Sequence, residues 1–495
     1  MNLVIINNPF HYESENLIRV FFPTEKINVT SERNDEENYI SISLDYSEKG
    51  AEVEISASVC EKKKSEKEFF SLSDKRADDS DNAFFERKTV IMLYNVLCSL
   101  TGYASPWGIL TGVRPAKLMT NLCKKYGDEE AKAYFINELK VSERKTQLAF
   151  NVAKTEEAII NKTKTDSFSL YVSIPFCPTR CSYCSFVSHS NNSAKKLISQ
   201  YVELLCKEIE ETGKIAKRLS LRLESVYIGG GTPTALDPEN LKKVTDAISR
   251  NFCLSKEIEY TIESGRPDSI TKEKLEVIKQ SSAGRISINP QTFDNNILEI
   301  IGRKHTAEQT EEAMLLAREM GFDNINMDVI AALPTDTVEG FEKTLNKVLS
   351  FSPENVTVHT LALKRSSRLV TDEMEKGNAD LANEMLEIAA SRLSEEGYIP
   401  YYMYRQSKCL GNLENVGWAK KNFECEYNVY MMEECHTVIA VGAGAVTKLK
   451  NPYNNVIERI FNYKYPYEYI NGFDEILNRK KRIEQFYIEA EENNH

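Results

Sequence analysis

The sequence predicts an α/β protein in which parallel strands carry helices on their outer side. Three observations lead there. Between residues 166 and 365, six short apolar runs (residues 170–174, 225–228, 259–263, 285–289, 324–330 and 355–360) alternate with helical patterns, as repeated β/α units do. The first intervening pattern sets Leu197, Tyr201, Leu204, Leu205 and Ile209 at helical spacing, and the second opens on Asp237-Pro238, an N-cap followed by a first-turn proline. Residue types suited to chemistry gather just beyond the strand runs, where α/β architectures place their sites.

The flanking elements follow in chain order. Residues 1–76 are expected to be a small β-rich module, since residues 3–6, 18–22, 39–44 and 53–59 alternate at period two. The charge- and serine-rich run 61–81 is expected to be a loop or a boundary. Residues 82–165 read as a helical linker region: Val90, Leu93, Tyr94, Leu97 and Leu100 share one face, Gly102 and Pro106 punctuate, and Pro115 suits the first turn of the next helix. Residues 366–495 are expected to form a C-terminal domain that covers a substrate. It begins as helix to about residue 396, passes through a tyrosine-rich stretch at 398–404 into strands and turns, and ends in a charged helical tail that frays.

Composition narrows the partners. The 495 residues hold 62 Lys and Arg against 74 Asp and Glu, a net charge of -12, which argues against nucleic acid or an anionic membrane as partner. The first ten residues lack the positive n-region and small-residue cleavage site of a signal peptide. The longest apolar stretch, residues 90–100, is too short to span a bilayer, so a cytoplasmic protein without a membrane span is expected. Eleven cysteines in a reducing compartment point to metal or catalysis rather than disulfides. Eight are scattered, but Cys177, Cys181 and Cys184 fall within eight residues.

That triplet, Cys177-Pro-Thr-Arg-Cys181-Ser-Tyr-Cys184, has the spacing C-x3-C-x2-C and follows the first strand of the β/α region. Thiolates are soft ligands suited to iron–sulfur clusters, and three of them on a four-iron cluster leave one iron open. A zinc site is the alternative, with His189 as the nearest fourth ligand. Gly229-Gly-Gly-Thr-Pro233 follows the second strand, where consecutive glycines let bare backbone approach a ligand and Thr232 adds a hydroxyl. Glu263 closes the third strand in Ile262-Glu-Ser-Gly-Arg-Pro267, and Gln291, Arg303 and Asp328 bring amide, guanidinium and carboxylate groups near later strand ends. Tyr171, six residues before Cys177, points toward the site if strand alternation holds.

The run from Tyr171-Val-Ser-Ile-Pro-Phe-Cys177 through Tyr183-Cys184 resembles the signature of radical S-adenosylmethionine (SAM) enzymes. More narrowly it is similar to the oxygen-independent coproporphyrinogen III oxidase group, the HemN- and HemW-related family. Further matches arrive in that family's order: residues 229–233, Glu263, Gln291 within Ser287-Ile-Asn-Pro-Gln-Thr-Phe293, Gly302-Arg-Lys-His-Thr306 and Asp328. Residues 107–118, 359–364, 403–406, 411–417 and 438–445 resemble the HemZ branch. The resemblance implies a partial (β/α)6 radical SAM barrel with an N-terminal β-rich plus helical region and a C-terminal α+β extension. It implies a [4Fe-4S] cluster on Cys177, Cys181 and Cys184, with one or two SAM molecules. SAM contacts are implied for Tyr171, Tyr183 against the adenine, Gly230 and Gly231 with Thr232, Glu263, Gln291 and Asp328, while Arg303 would hold the methionine carboxylate. The implied activity is oxidative decarboxylation of coproporphyrinogen III propionates to vinyl groups, giving protoporphyrinogen IX in heme biosynthesis. Its electron would come from a reduced flavodoxin- or ferredoxin-type donor.

Phe186 stands where true oxidases of this group carry a further cysteine, a departure shared with HemZ-like and HemW-like relatives, some of which bind and hand over heme. A heme-binding chaperone of the HemW type and a radical SAM enzyme acting on heme therefore stay open beside the oxidase. A substrate with four propionates needs local positive charge in this acidic chain. Arg405 with Lys408, and Lys364 with Arg365, are the candidates, and His359 is a candidate cavity residue. Cys409, Cys425 and Cys435 lack ligand spacing and are expected to be core or surface thiols. Gly442-Ala-Gly-Ala445 is expected to be a packed turn rather than a nucleotide loop.

Overall fold

Period-two alternation near the N-terminus builds a five-stranded sheet in the computed structural model, which describes every residue except 33–37, 60, 185–188, 363–378, 407–408 and 495, and gives 189–196 as backbone only. The elements are β1 (Asn2–Ile6), α1 (His11–Phe21), β2 (Asn28–Thr30), β3 (Tyr39–Ser47), β4 (Gly50–Val59) and β5 (Lys62–Ser71), in sheet order β2-β1-β3-β4-β5. Two expectations change here. Residues 18–22, expected as strand, belong mostly to α1, where Ser14, Leu17 and Ile18 bury one face at helical spacing that the short alternating run disguises. Residues 61–81, expected as a loop, contain β5, which pairs along its whole length with β4. Its exposed lysines and glutamates suit an edge strand, because charge there discourages further pairing.

Helix α2 (Asp81–Thr101) starts at Ser80, whose hydroxyl accepts from the Ala83 amide at 3.2 Å, and stops at Gly102 with φ 73°. Its Phe84, Leu93, Val96 and Leu97 share one core with Leu3, Leu17, Ile40, Ile42, Val53 and Ile55. The boundary expected near residue 76 therefore falls inside one unit, made of Met1–Ala153 with Tyr404–Glu414. Helices α3 (Pro115–Tyr126), α4 (Asp128–Asn137) and α5 (Glu143–Ile160) follow, in the region expected to be helical.

The second unit, Lys154–Met403 with Asn415–His495, holds the β/α region. Its strands and helices run β6 (Ser167–Ile174), β7 (Phe176–Cys177), β8 (His189–Ser190), α6 (Asn191–Arg218), β9 (Arg222–Gly230), α7 (Pro238–Asn251), β10 (Glu259–Ile262), α8 (Lys272–Gln280), β11 (Arg285–Ser287), α9 (Asn295–Ile300), α10 (Ala307–Glu319), β12 (Ile325–Ala331), α11 (Val338–Ser350) and β13 (Asn355–Thr360). Then come α12 (Ala379–Glu395), β14 (Ile399–Arg405), β15 (Glu414–Ala419), α13 (Glu426–Glu433), β16 (Thr437–Val441), β17 (Val446–Lys450), β18 (Ile457–Phe461), α14 (Pro466–Asn471) and α15 (Phe473–Glu492). Among the described residues one sheet has the order β14-β15-β13-β12-β11-β10-β9-β6-β16-β17-β18. The six strands expected from sequence are its consecutive, mutually parallel centre, the core of a partial β/α barrel. Asp237 caps α7 as expected, its carboxylate accepting from the Asn240 amide at 2.8 Å. The residues beyond 378, expected as a separate domain, instead extend the same sheet: β16 joins β6 in parallel and β15 joins β13 antiparallel. No helix among the described residues is long and apolar enough to cross a membrane.

Candidate active site

Strand alternation fixes what faces the barrel interior. Tyr171 on β6 lies opposite Tyr227 on β9 in register, with Ser169 opposite Ser225 below and Ser173 opposite Gly229 above. The Ser169 and Ser225 hydroxyls meet at 2.7 Å. Across the barrel, Arg285 on β11 reaches Asn355 Oδ1 at 3.0 Å and Glu259 at 3.4 Å. Asn326 on β12 donates to Asp328 at 2.7 Å and accepts from Thr357 at 3.0 Å. This interior is polar and aromatic, where closed β/α barrels usually pack branched aliphatics.

Helix α13 sits at the N-terminal end of this interior. The Glu259 carboxylate accepts from the Glu426 and Tyr427 amides at 2.8 and 3.0 Å, so an acid meets the positive end of the helix. That contact places the Tyr427 ring 4.4 Å from Tyr227 and 6.1 Å from Tyr171, with interplanar angles of 20° and 12°. The three rings form a stack beneath the strand ends.

At the strand ends, the cysteine loop and the glycine turn lie against each other. The Gly231 and Thr232 amides donate to the Ile174 and Phe176 carbonyls, both at 2.8 Å. Thr232 Oγ1 lies 3.4 Å from Cys177 Sγ. Gly230 has φ 108°, a conformation open to glycine. A Cβ on Gly231 would come within 2.5 Å of the Phe176 oxygen and 3.0 Å of Cys177 Sγ, so only bare backbone fits there. The far side of the cysteine loop rests on the turn after α9, with the Ser182 amide donating to the Ile301 carbonyl at 2.9 Å.

The carboxylates divide. Burial pushes the Glu263 carboxyl up to about 7, helped by Asp328 and only partly opposed by the Tyr227 hydroxyl that donates to it. Burial also works against an ionised Asp328, but His359, Asn326 and Thr357 outweigh it and hold this carboxyl below its ordinary range. His359 Nε2 stands 3.7 Å from Asp328, and its Nδ1 lies 3.3 Å from Asn415 Oδ1, which also accepts the Thr360 amide. Gln291 adopts φ 68° while its amide and carbonyl bridge to β12.

Of the residues expected from sequence, Cys177, Cys181, Cys184, Tyr171, Gly230, Gly231, Thr232, Glu263, Gln291 and Asp328 all lie at this end of the barrel or line it. Tyr183 is in the same loop, where burial and the neighbouring Cys181 raise its phenol. Arg303 needs a correction: Nη1 and Nη2 donate to the Asn289 and Gly265 carbonyls at 2.8 and 3.4 Å, which braces the turns and removes the free fork expected for a carboxylate. Arg405 needs another. It belongs to the N-terminal unit, is 2% exposed, and donates to the Asn412 and Gly112 carbonyls at 2.8 and 3.3 Å, so it forms no cationic rim. Lys364, Arg365, Lys408, Phe186 and the His189 side chain lie outside the described residues. Cys409 and Cys425 are buried, Cys435 half-buried. The 442–445 turn is packed, its Gly442 and Ala443 amides donating to Glu208 and Tyr201. Sequence reasoning missed Tyr227, Tyr427, Asn289 and Arg266. Only Arg266 carried a signal, as the charged residue three positions beyond a strand-end glutamate.

The Radical SAM superfamily pattern matches residues 171–348, from Tyr171 on β6 through the cysteine loop and β12 to α11. The oxygen-independent coproporphyrinogen-III oxidase-like protein HemZ of Bacillus subtilis is 36% identical over 409 residues, which is 81% of this chain and 82% of that protein. The chain belongs to this radical SAM family. The heme chaperone HemW of Bacillus subtilis is 32% identical over 311 residues, 60% of this chain and 77% of HemW. The structure of the Escherichia coli coproporphyrinogen III oxidase HemN matches with a TM-score of 0.51 at 22% identity, over 65% of this chain and 72% of that one, and shares the fold.

The cofactors of this radical SAM protein are a [4Fe-4S] cluster and SAM, and its chemistry draws on an external reductant. The residues present fit both groups. Three half-buried thiols share one loop, a soft donor set suited to iron–sulfur. Among the described residues no three His, Cys, Asp or Glu side chains converge on one ion. Around that loop, Ser182 Oγ, Ser264 Oγ, Ser287 Oγ, Asn289 Oδ1, Gln291 Oε1 and Arg303 Nε are buried without a hydrogen-bond partner. Buried polar atoms are rarely left so, and a polar ligand with ammonium, carboxylate and ribose groups completes such a set.

Proposed function

We propose that this radical SAM protein oxidatively decarboxylates the propionates of coproporphyrinogen III to vinyl groups, with Cys177, Cys181 and Cys184 ligating the cluster. The observation that carries this reading is the set of unpartnered buried polar atoms in the cysteine loop and just beyond the strands of a polar barrel. It supports a pocket shaped for SAM rather than a surface that only holds a flat macrocycle. Held by Cys177, Cys181 and Cys184, the cluster with SAM would supply the radical chemistry for removing one hydrogen atom from a propionate, and the vinyl group would form with loss of carbon dioxide and transfer of one electron to an external one-electron acceptor. The electron that starts each turnover comes from a flavodoxin- or ferredoxin-type donor.

The chain's own residues bind and orient. Gly230 and Gly231 bring bare backbone, and Thr232 its hydroxyl, to the cluster end of the pocket. Glu263, raised to about 7 and so only partly ionised at neutral pH, gives up its proton to accept hydrogen bonds from the SAM ammonium. Asp328 stays ionised and takes ribose hydroxyls, with His359 and Asn326 fixing its orientation. Gln291 turns its amide toward the same ribose. Tyr171, Tyr227 and Tyr427 floor the pocket and exclude water from below.

An anaerobic assay with reconstituted protein, SAM, a low-potential reductant and coproporphyrinogen III tests the reading. Vinyl products and released carbon dioxide are expected. SAM cleavage without vinyl product, together with stoichiometric heme binding, would replace it by the heme-handling reading that the similarity to HemW favours.

A further inference from the structure

One buried charge near the cysteine loop has no part in the reading above. Arg266 follows β10 and is 3% exposed. Its guanidinium is held as a fork by Asp268, with Nε and Nη2 both 2.9 Å from the two carboxylate oxygens. The backbone around it is pinned as well: the Ser269 amide and hydroxyl donate to the Arg266 carbonyl at 2.9 and 2.7 Å. With the fork fixed, the remaining nitrogen has one direction to point. Nη1 lies 3.6 Å from Cys181 Sγ, within hydrogen-bond reach of sulfur.

A second buried guanidinium supports the same field. Arg303 is 7% exposed and donates to the carbonyl of Gly265, the residue before Arg266, at 3.4 Å, and its neighbour Gly302 lies against the cysteine loop, where a Cβ would meet the Arg180 carbonyl oxygen at 3.5 Å. Burial and the positive charges of Arg303 and Arg266 push His305 down to about 3, so it adds no third cation. In a chain with net charge -12, two desolvated guanidiniums therefore border the cysteine triplet.

Hydrogen bonds to cluster sulfurs and nearby positive charge stabilise the reduced, more negative state of an iron–sulfur centre. We propose that Arg266, oriented by Asp268, donates to the Cys181 thiolate and raises the reduction potential of the cluster, which sets how strong a reductant the protein requires. No bond is made or broken by the arginine. The one electron that enters the cluster comes from the external flavodoxin- or ferredoxin-type donor. Asp268 is a positioning residue in this arrangement, because it touches neither sulfur nor substrate.

The inference rests on Cys181 being a cluster ligand, so the experiment separates the two. Reconstituted Cys181→Ser protein is expected to lose its four-iron chromophore, and an intact cluster there overturns the ligand assignment itself. Redox titration followed by electron paramagnetic resonance then reads the potential of Arg266→Gln, Arg266→Lys and Asp268→Asn. Arg266→Gln is expected to make reduction about tenfold less favourable, equivalent to about 59 mV for a one-electron couple. Arg266→Lys and Asp268→Asn should fall between it and the parent protein. Pulsed measurements on protein carrying 15N-guanidino arginine should show a nitrogen coupling to the reduced cluster that Arg266→Lys removes. If Cys181→Ser loses the cluster while Arg266→Gln keeps both cluster and parental potential, the inference falls. Should Arg266→Gln fail to load, unchanged potentials in Arg266→Lys and Asp268→Asn overturn it equally.

Discussion

At the scale of single residues, Glu263 has a measurable pH signature. Its carboxyl is raised to about 7 by burial and by Asp328, so between the ordinary glutamate range and that value the folded chain holds a proton that the unfolded chain has released. Stability from this group is therefore full at acid pH and is lost as pH rises toward 7. SAM binding should run the other way, since an ammonium ligand favours the ionised carboxylate. Affinity for SAM is expected to rise several-fold from pH 6 to pH 8 with release of a proton, read by calorimetry in buffers of different ionisation enthalpy. Glu263→Gln should bind more weakly and show neither the rise nor the proton. A parental pH slope in that variant would remove Glu263 from the SAM subsite. Position in sequence made Glu263 legible, because it closes a strand at the right end of a β/α unit. Its partner Tyr227 was not, since a tyrosine inside an apolar run reads as core, and only the register with Tyr171 turns both rings inward.

At the scale of elements, α13 shows what the strand pattern hides. Parallel strands covered on both faces read as continuous apolar runs, yet here Glu259, Arg285, Asn326 and Asp328 point into the barrel. Glu259 opens the 259–263 run, and nothing in that run marks it as functional. It accepts two amides at the N-terminus of α13 and pairs with Arg285 at 3.4 Å, with side chains 12% and 5% exposed. Removing one member of a buried ion pair strands the other charge and costs about 3–5 kcal/mol. Glu259→Ala is therefore expected to lower stability by about that amount in urea denaturation of the full chain. It should also weaken the near-ultraviolet circular dichroism of the tyrosine stack, because Tyr427 is the residue after the first amide that Glu259 holds. A parental spectrum would mean that α13 keeps its seat without this contact. The same logic explains the N-terminal errors. Helix α1 and strand β5 depend on what packs beside them, and neither a five-residue alternation nor a lysine- and glutamate-rich run carries that information.

At the scale of the whole molecule, the six central strands, their order and the motif positions were legible because each β/α unit is local in sequence. The division into units was not, because one of them closes through residues far apart in the chain. Residues 404–414 belong with Met1–Ala153, and the reason is electrostatic. Glu414 accepts from Trp107 Nε1 and Lys145 Nζ, both at 2.6 Å, across a separation from Lys145 of 269 residues. Burial pushes the Glu414 carboxyl up, and the Lys145 ammonium with the Trp107 indole more than reverses this, so the group stays ionised with its side chain 2% exposed. The Arg405 guanidinium lies 5.2 Å from the Trp107 ring centre, and burial pulls it down to about 10. A lowered carboxyl contributes stability above its unfolded pKa and loses it as pH falls. Glu414→Gln keeps an acceptor for Trp107 but leaves Lys145 charged and unpaired in a dry site, so a loss of about 3–5 kcal/mol is expected. Lys145→Met/Glu414→Gln should recover part of that loss, since the double change removes the stranded ammonium. Denaturant titration of the full-length variants reads both values. Equal, additive losses would mean that the pair does not hold the two segments together. A non-additive recovery would show that the N-terminal unit, which no motif in its first 75 residues explains, is completed by chain synthesised after the barrel strands.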